Sequence, residues 1–172
     1  LYSWMYLHPG AKLLFMGGEF GQRSEWQFAE SLHWEEAEAE SHRGVFKTIK
    51  ALNHLYREEK SLHLENYNYQ SFDWIELNDH ENSVLSFLRK AEEENIICVI
   101  NLTPQPRDQY RIGVPDEGAY QLLFNSDESD YWGSGYPCKN ELKSEKEPWH
   151  GHQNSLLLDL PPLAAVVYKL KS

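Results

Sequence analysis

The chain has 172 residues and 41% hydrophobic content, enough for one domain or a small domain with an appendage. Sixteen Lys and Arg against 27 Asp and Glu leave a formal charge of −11 with neutral histidines; so acidic a surface repels phosphate backbones and anionic headgroups, which excludes nucleic acid and membrane surfaces as partners. Six Trp within 13% aromatic residues argue against disorder, and no apolar run approaches the roughly 18–20 residues of a membrane helix.

Leu1-Tyr-Ser-Trp-Met has neither the basic region nor the cleavage site of a signal peptide. The absent initiator Met points to a chain cut from something longer. Cys98 and Cys138 alone make neither a disulfide framework nor a zinc site. A reducing, cytoplasmic setting is expected. After the turn His8-Pro9-Gly10, the run Lys12-Leu-Leu-Phe-Met-Gly17 lacks polar alternation. That predicts a strand covered on both faces, as in a parallel sheet. Gly17, Gly18 and Gly21 end it and open a loop that reaches Ser41, long enough to be functional. Trp26, Phe28 and Trp34 within it argue for order.

Ser41 is the expected N-cap of a helix. Val45, Ile49, Leu52 and Tyr56 form its apolar stripe, widened by Phe46 and Leu55, with Lys47, Lys50, Asn53 and Arg57 opposite. A short second helix is expected over 59–64. From Phe72 the period changes to two, predicting strands at 72–77, 83–90, 96–102, 109–114, 119–125, 141–144, 155–160 and 164–170. In the second of these, Val84, Ser86 and Leu88 share one face and Leu85, Phe87 and Arg89 the other. Many short strands with turn signals between them predict an antiparallel β-sandwich, so the fold class is mainly β. A long loop over 126–148 interrupts it.

The opening strand needs parallel neighbours, and the chain holds no other strand of that kind. A complete (β/α)8 barrel takes about 250 residues. Residues 1–64 therefore read as the last βα unit of such a barrel and 65–172 as the sandwich. Barrel function sits on the loops after the strands, which singles out Gly17-Gly18-Glu19-Phe20-Gly21-Gln22.

Several longer motifs carry a resemblance. His8-Pro-Gly-Ala-Lys-Leu-Leu-Phe-Met-Gly-Gly-Glu-Phe-Gly-Gln22, Glu25-Trp26, Ser31-Leu-His-Trp34, His42-Arg-Gly-Val45 and Leu52-Asn-His-Leu-Tyr-Arg57 stand in order, followed by Phe72-Asp-Trp-Ile75, Asn101-Leu-Thr-Pro104, Tyr110-Arg-Ile-Gly-Val114 and Leu158-Asp-Leu-Pro-Pro-Leu163. Together they resemble the C-terminal part of the 1,4-α-glucan (glycogen) branching enzymes of the α-amylase family, across essentially the whole chain. The sequence departs at His33, where the family shows Asp, and matches less well over 127–149.

The resemblance implies an α-amylase-type C-terminal sandwich behind a barrel remnant. It also implies a retaining transglycosylase that cuts an α-1,4 bond and passes the chain to a 6-hydroxyl, making α-1,6 branches in glycogen or amylose. Its catalytic carboxylates lie on earlier barrel strands, so no catalytic residue, cofactor or metal ligand is assigned here, and the isolated chain is expected to be silent. The alternative is a non-catalytic module that binds glucan or props up the barrel.

Glu19, Gln22 and Trp26 are the candidate contacts with substrate at the cleft edge, against an internal bracing role. Trp26 and Trp34 could face sugar rings or close the loop over the barrel rim. Trp132 and Trp149, with Tyr131 and Tyr136, pose the same choice on the sandwich, between a surface glucan platform and loop packing. A Glu19–Glu25 dyad is disfavoured because both lie on one loop. His150-Gly-His152 reads as exposed turn histidines, Glu58-Glu59 and Glu92-Glu-Glu94 as solvated faces or turns, and Cys98 as a buried small hydrophobe. The partners expected are α-glucan and the barrel of the same parent, with self-association through the uncovered apolar strand.

Overall fold

One sheet separates two cores. The computed structural model describes residues 1–92 and 94–171. Its helices α1 (Tyr2–Leu7), α2 (Glu40–Glu58) and α3 (Lys60–His63) precede strands β1 (Phe72–Asp79), β2 (Val84–Ala91), β3 (Glu94–Asn101), β4 (Arg107–Val114), β5 (Ala119–Asn125), β6 (Glu141–Lys143), β7 (Asn154–Leu160) and β8 (Ala165–Leu170). All eight expected strands are present, with ends shifted by two residues at most. Six make an antiparallel sheet in the order β1-β2-β3-β8-β5-β6, and β4 pairs with β7 in a second.

Alternation fills the space between the sheets. Val84, Leu88, Ile97, Val99, Val166 and Tyr168 of the large sheet meet Ile112, Leu156 and Leu158 of the small one. The opposite face of the large sheet is also covered. Phe87, Ile96, Cys98 and Val167 pack on Leu7, Leu52, Leu55 and Leu62 of the helices. That explains why Ile96-Ile-Cys-Val-Ile100 is apolar throughout, because an antiparallel strand alternates only when one face stays wet. The expected division of β2 holds, with Val84 and Leu88 toward the small sheet and Phe87 toward the helices.

The first part of the chain differs from expectation in several respects. The run 12–17 lies in no β-ladder, since a strand has no ladder without a neighbour to bond. Leu13 and Phe15 are exposed by 76% and 62%. Helix α2 begins one residue before Ser41, with Ala39 at the N-cap and no side-chain cap. Ile49, Leu52 and Leu55 are buried as the stripe requires, but Phe46 faces outward. Helix α1 has too few residues to show a period. Burial of Tyr6 and Leu7, and stacking of Trp4 on Trp74 and edge-on against Phe87, hold it to β1 and β2.

Arg89 ties the helical layer to the sheet. It is fully buried. Nη1 donates to the Leu7 carbonyl at 2.7 Å, and Nη2 donates to the Leu62 carbonyl at 3.3 Å and to Asn66 Oδ1 at 3.2 Å. Leu7 and Leu62 lie in the last turns of α1 and α3, where carbonyls lack intrahelical partners and favour a cation. Asn66 in turn bonds both backbone groups of Gly10. Nearby, burial and the Arg89 charge push the Lys12 ammonium down to about 8, and Lys12 Nζ donates to the His8 carbonyl at 2.6 Å.

A second tie corrects the reading of Glu59 and Glu94 as solvated, while Glu58 and Glu92 are exposed as expected. Lys169 Nζ on β8 lies 2.6 Å from Glu59 and 3.0 Å from Glu94, and Ser61 donates twice to Glu94. Burial raises the Glu59 carboxyl despite Lys169. For Glu94, burial is outweighed by hydrogen bonds from Lys169 and Ser61, which hold it below its ordinary value. Glu93, the middle residue of that acidic run, lies outside the described residues.

Candidate functional site

The loop after the apolar run is built around two glycines. Gly17 and Gly21 adopt φ of +83° and +67°, the left-handed region open to glycine, and bracket a short 3-10 turn that buries Phe20. His42 of α2 bonds the Phe20 carbonyl at 2.9 Å. Gln22 is a brace: Oε1 accepts from His33 N at 2.8 Å, Nε2 donates to the Ser24 carbonyl at 3.1 Å, and its own N–H donates to the Gly17 carbonyl at 2.9 Å. His33, at the position where the resemblance calls for Asp, lies 3.8 Å from Glu36.

The three residues singled out on this loop do not share one site. Gln22 and Trp26 line a cleft of about 750 Å³ with Tyr2, Phe15, Met16 and Glu25. Trp26 meets Phe15 edge-on at 5.5 Å. Glu19 opens instead onto a cleft of about 240 Å³ beside α2, with Phe46, Lys50, His54 and Arg57. Glu19 and Glu25 therefore border different clefts, which no retaining carboxylate pair about 5–5.5 Å apart could do. Trp34 is half exposed and leans on Phe20 at 5.1 Å, closing the loop over its own anchor.

The two tryptophans of the sandwich are also apart. Trp132 lines a small cleft with Arg43, Lys47 and Asp130. It lies over Gly44 of α2, where an added Cβ would come within 2.5 Å of the Trp132 Cβ and 2.6 Å of the Tyr131 carbonyl oxygen. Tyr131 stacks on Phe124 at 5.8 Å, a packing role for that part of the loop. Asp127 closes the loop by accepting from Ser134 N, Ser134 Oγ and Tyr136 N.

Trp149 stands at a different cleft, of about 580 Å³, with Asp79, Asn82, Arg107, Tyr110 and His150. The histidines are half-buried rather than exposed, and burial lowers His150 in spite of Glu76 and Asp79. Among the described residues no group of three or more His, Cys, Asp or Glu could hold a metal ion. Cys98 is fully buried, as expected for a small hydrophobe, and burial pushes its thiol up out of nucleophilic range.

A family profile described as "Alpha amylase, C-terminal all-beta domain" matches residues 74–171. The chain belongs to the α-amylase C-terminal all-β domain family. Relatives include the 1,4-alpha-glucan branching enzyme GlgB of Aquifex aeolicus, 47% identical over 98% of this chain and 27% of the relative, and that of Cellvibrio japonicus, 45% identical over 99% and 23%. The chain thus spans about a quarter of the length of the curated relatives it matches. Among solved structures, the Nostoc punctiforme debranching enzyme superposes with a TM-score of 0.64 over 96% of this chain and 29% of that one, at 15% identity. The α-amylase from H. orenii gives 0.57 over 96% and 33%, at 18% identity. These two share the fold.

In this member of the α-amylase C-terminal family, the residues that sequence reading passed over are those around Trp149. Asp79, Asn82, Arg107 and Tyr110 come from the β1–β2 turn and the start of β4. Their convergence needs an irregularity in β4: Arg107 pairs with Leu160 but the next pair is Tyr110 with Leu158. The left-handed φ of +51° at Gln109 marks it. The only cue in the sequence was the polar stretch Arg107-Asp-Gln-Tyr110.

Proposed function

We propose that this chain is the C-terminal part of a 1,4-α-glucan branching enzyme, which passes a cleaved α-1,4-glucan chain to a 6-hydroxyl and so forms α-1,6 branches in glycogen. Identity above 40% to several branching enzymes, over nearly all of the chain, is the observation that carries this reading. In it, residues 1–64 belong to the catalytic barrel and 65–172 to the sandwich. The open surface supports a barrel as the missing neighbour. The chain exposes 10005 Å², against roughly 8,750 Å² for a compact monomer of this mass. Leu13, Phe15, Met16 and Phe28 account for part of the difference.

The role of this part is to seat the barrel. Arg89 and the Lys169 pairs fasten the helical layer to the sheet, and the cleft of Gln22 and Trp26 borders the barrel edge. Trp26 approaches the glucan from that edge, with Gln22 bracing the loop behind it, and Glu19 opens onto the neighbouring cleft beside α2. The reacting carboxylates come from elsewhere in the parent, which works in a reducing, cytoplasmic setting where Cys98 and Cys138 stay unpaired. Alone, the uncovered apolar surface drives self-association.

An iodine–amylose assay tests this. The 172-residue chain by itself leaves the stained absorbance unchanged, and the same chain joined to its upstream sequence lowers it as branches form. Sustained branching by the short chain would overturn the placement of the chemistry. An inactive long protein of intact fold would overturn the branching assignment.

A further inference from the structure

The cleft at Trp149 has features that loop packing does not account for. Gly113 of β4 lacks the Cβ that would meet the Trp149 carbonyl oxygen at 2.0 Å, so the turn presses directly on the strand. Paired bonds between Trp149 and His152, 3.0 and 2.9 Å, close that turn. The indole is left 44% exposed on a fixed backbone.

The opposite wall is polar and ordered. Tyr110 Oη donates to Asp79 Oδ2 at 2.6 Å, and Asn82 donates to the same carboxylate from its backbone and its amide at 2.9–3.0 Å. Arg107 Nη2 donates to the Asn82 carbonyl at 3.3 Å. Its Nε is buried and has no hydrogen-bond partner. Tyr136 donates to Asp108 on the rim. Gln109 and His150, both lining the cleft, hold left-handed φ of +51° and +46°, and strained backbone of this kind gathers at binding sites. The bulge at 108–109 turns the strand beside them.

Charge narrows the ligand. Asp79, Asp108, Arg107 and Arg111 line the cleft, but Arg111 is committed to Glu145 and Glu147 and Asp79 is taken up by Tyr110 and Asn82. That leaves Arg107 against Asp108, a balance that favours neither an anion nor a cation. One flat aromatic face beside a row of donors and acceptors suits a sugar ring, with its apolar C–H face and hydroxyl rim. The volume falls within the range of about 300–1,000 Å³ usual for small-ligand clefts.

We infer that this cleft is a carbohydrate-binding site, holding a segment of neutral α-glucan with one glucose ring on Trp149 and its hydroxyls on Arg107, Asp108 and Asn82. The choice of α-glucan rests on the branching-enzyme reading. The site keeps a long polymer attached while its free end reaches the barrel.

Native electrophoresis of the 172-residue chain in gels cast with glycogen tests the inference, with maltoheptaose quenching of Trp fluorescence as a second readout. Glycogen should retard the chain. Trp149→Ala should weaken binding at least tenfold with an unchanged melting temperature, and Trp149→Phe should restore most of it. Arg107→Gln should weaken it several-fold, and Trp132→Ala should leave it unchanged. No retardation of the parent chain, or retardation equal in Trp149→Ala, would overturn the site. Retardation only by a β-linked glucan would overturn the α-glucan assignment, while the iodine assay still reads branching independently.

Discussion

The two layers on either side of the large sheet are apolar to a similar degree, yet they end differently. Between the sheets, Ile97, Val99, Ile112, Leu156 and Leu158 are all buried by strands of the same chain. On the helical side, Leu52, Leu55 and Leu62 are buried on Phe87 and Cys98, but the outer surface of that layer leaves Leu13, Phe15, Phe28, Trp34 and Phe46 in solvent. The contrast teaches that hydrophobic pattern marks a residue for burial and topology decides whether a cover exists. The core between the sheets is closed by its own strands, and the outer face of the helical layer is not.

The largest expected effect lies where the two layers meet. Replacing Arg89 with Met removes the donors to Leu7, Leu62 and Asn66 and leaves buried carbonyls at two helix ends unpaired. Stability should fall by about 2–4 kcal/mol, measured as a lower urea midpoint. A loss under about 1 kcal/mol would mean that aromatic packing of α1 on β1 and β2 holds the layer without the clasp.

A smaller effect depends on pH. Glu94 is held below its ordinary value by Lys169 and Ser61. Its contribution is therefore complete above the unfolded carboxylate value and disappears as pH falls through the lower folded one. Glu94→Gln should cost about 1 kcal/mol at neutral pH, and the gap between variant and parent should close in acid. A gap that persists unchanged in acid would assign the cost to packing instead of charge.

The smallest change in stability is expected in the open region. Phe15→Ser should alter the urea midpoint by no more than about 0.5 kcal/mol, because Phe15 is 62% exposed. The same substitution should reduce self-association in sedimentation velocity. A large stability loss would show that the cleft at Trp26 is a closed core, and the contrast between the two layers would fail.

Periodicity made most of the fold legible. Alternation and apolar runs between turn signals placed all eight strands, and the stripe of Ile49, Leu52 and Leu55 placed α2. What escaped was set by contacts distant in sequence. Helix α1 is six residues long and is held by Trp74 and Phe87, so no local period announces it. Glu59 and Glu94 look like surface charges until Lys169 of β8 arrives between them. Arg89 looks like the polar member of a strand face, yet it is buried because two helix ends supply its acceptors. For the candidate sites, the glycines and tryptophans of the loops were visible. Their grouping was not: Glu19 separates from Trp26, and Trp132 from Trp149.

The sequence by itself determined most of the architecture: a helix ahead of an eight-stranded antiparallel sandwich, though not that the apolar run at 12–17 stays outside any sheet. Local alternation is a property of neighbouring residues, and so are turn residues and helical spacing. Tertiary structure alone decided which charges are buried, which aromatics are covered, and that Arg107, Tyr110, Asp79 and Trp149 meet in one cleft. Those outcomes depend on a bulge in β4, on the missing Cβ of Gly113, and on segments brought together from 79 to 149, where free energy is set by partners that no local pattern names.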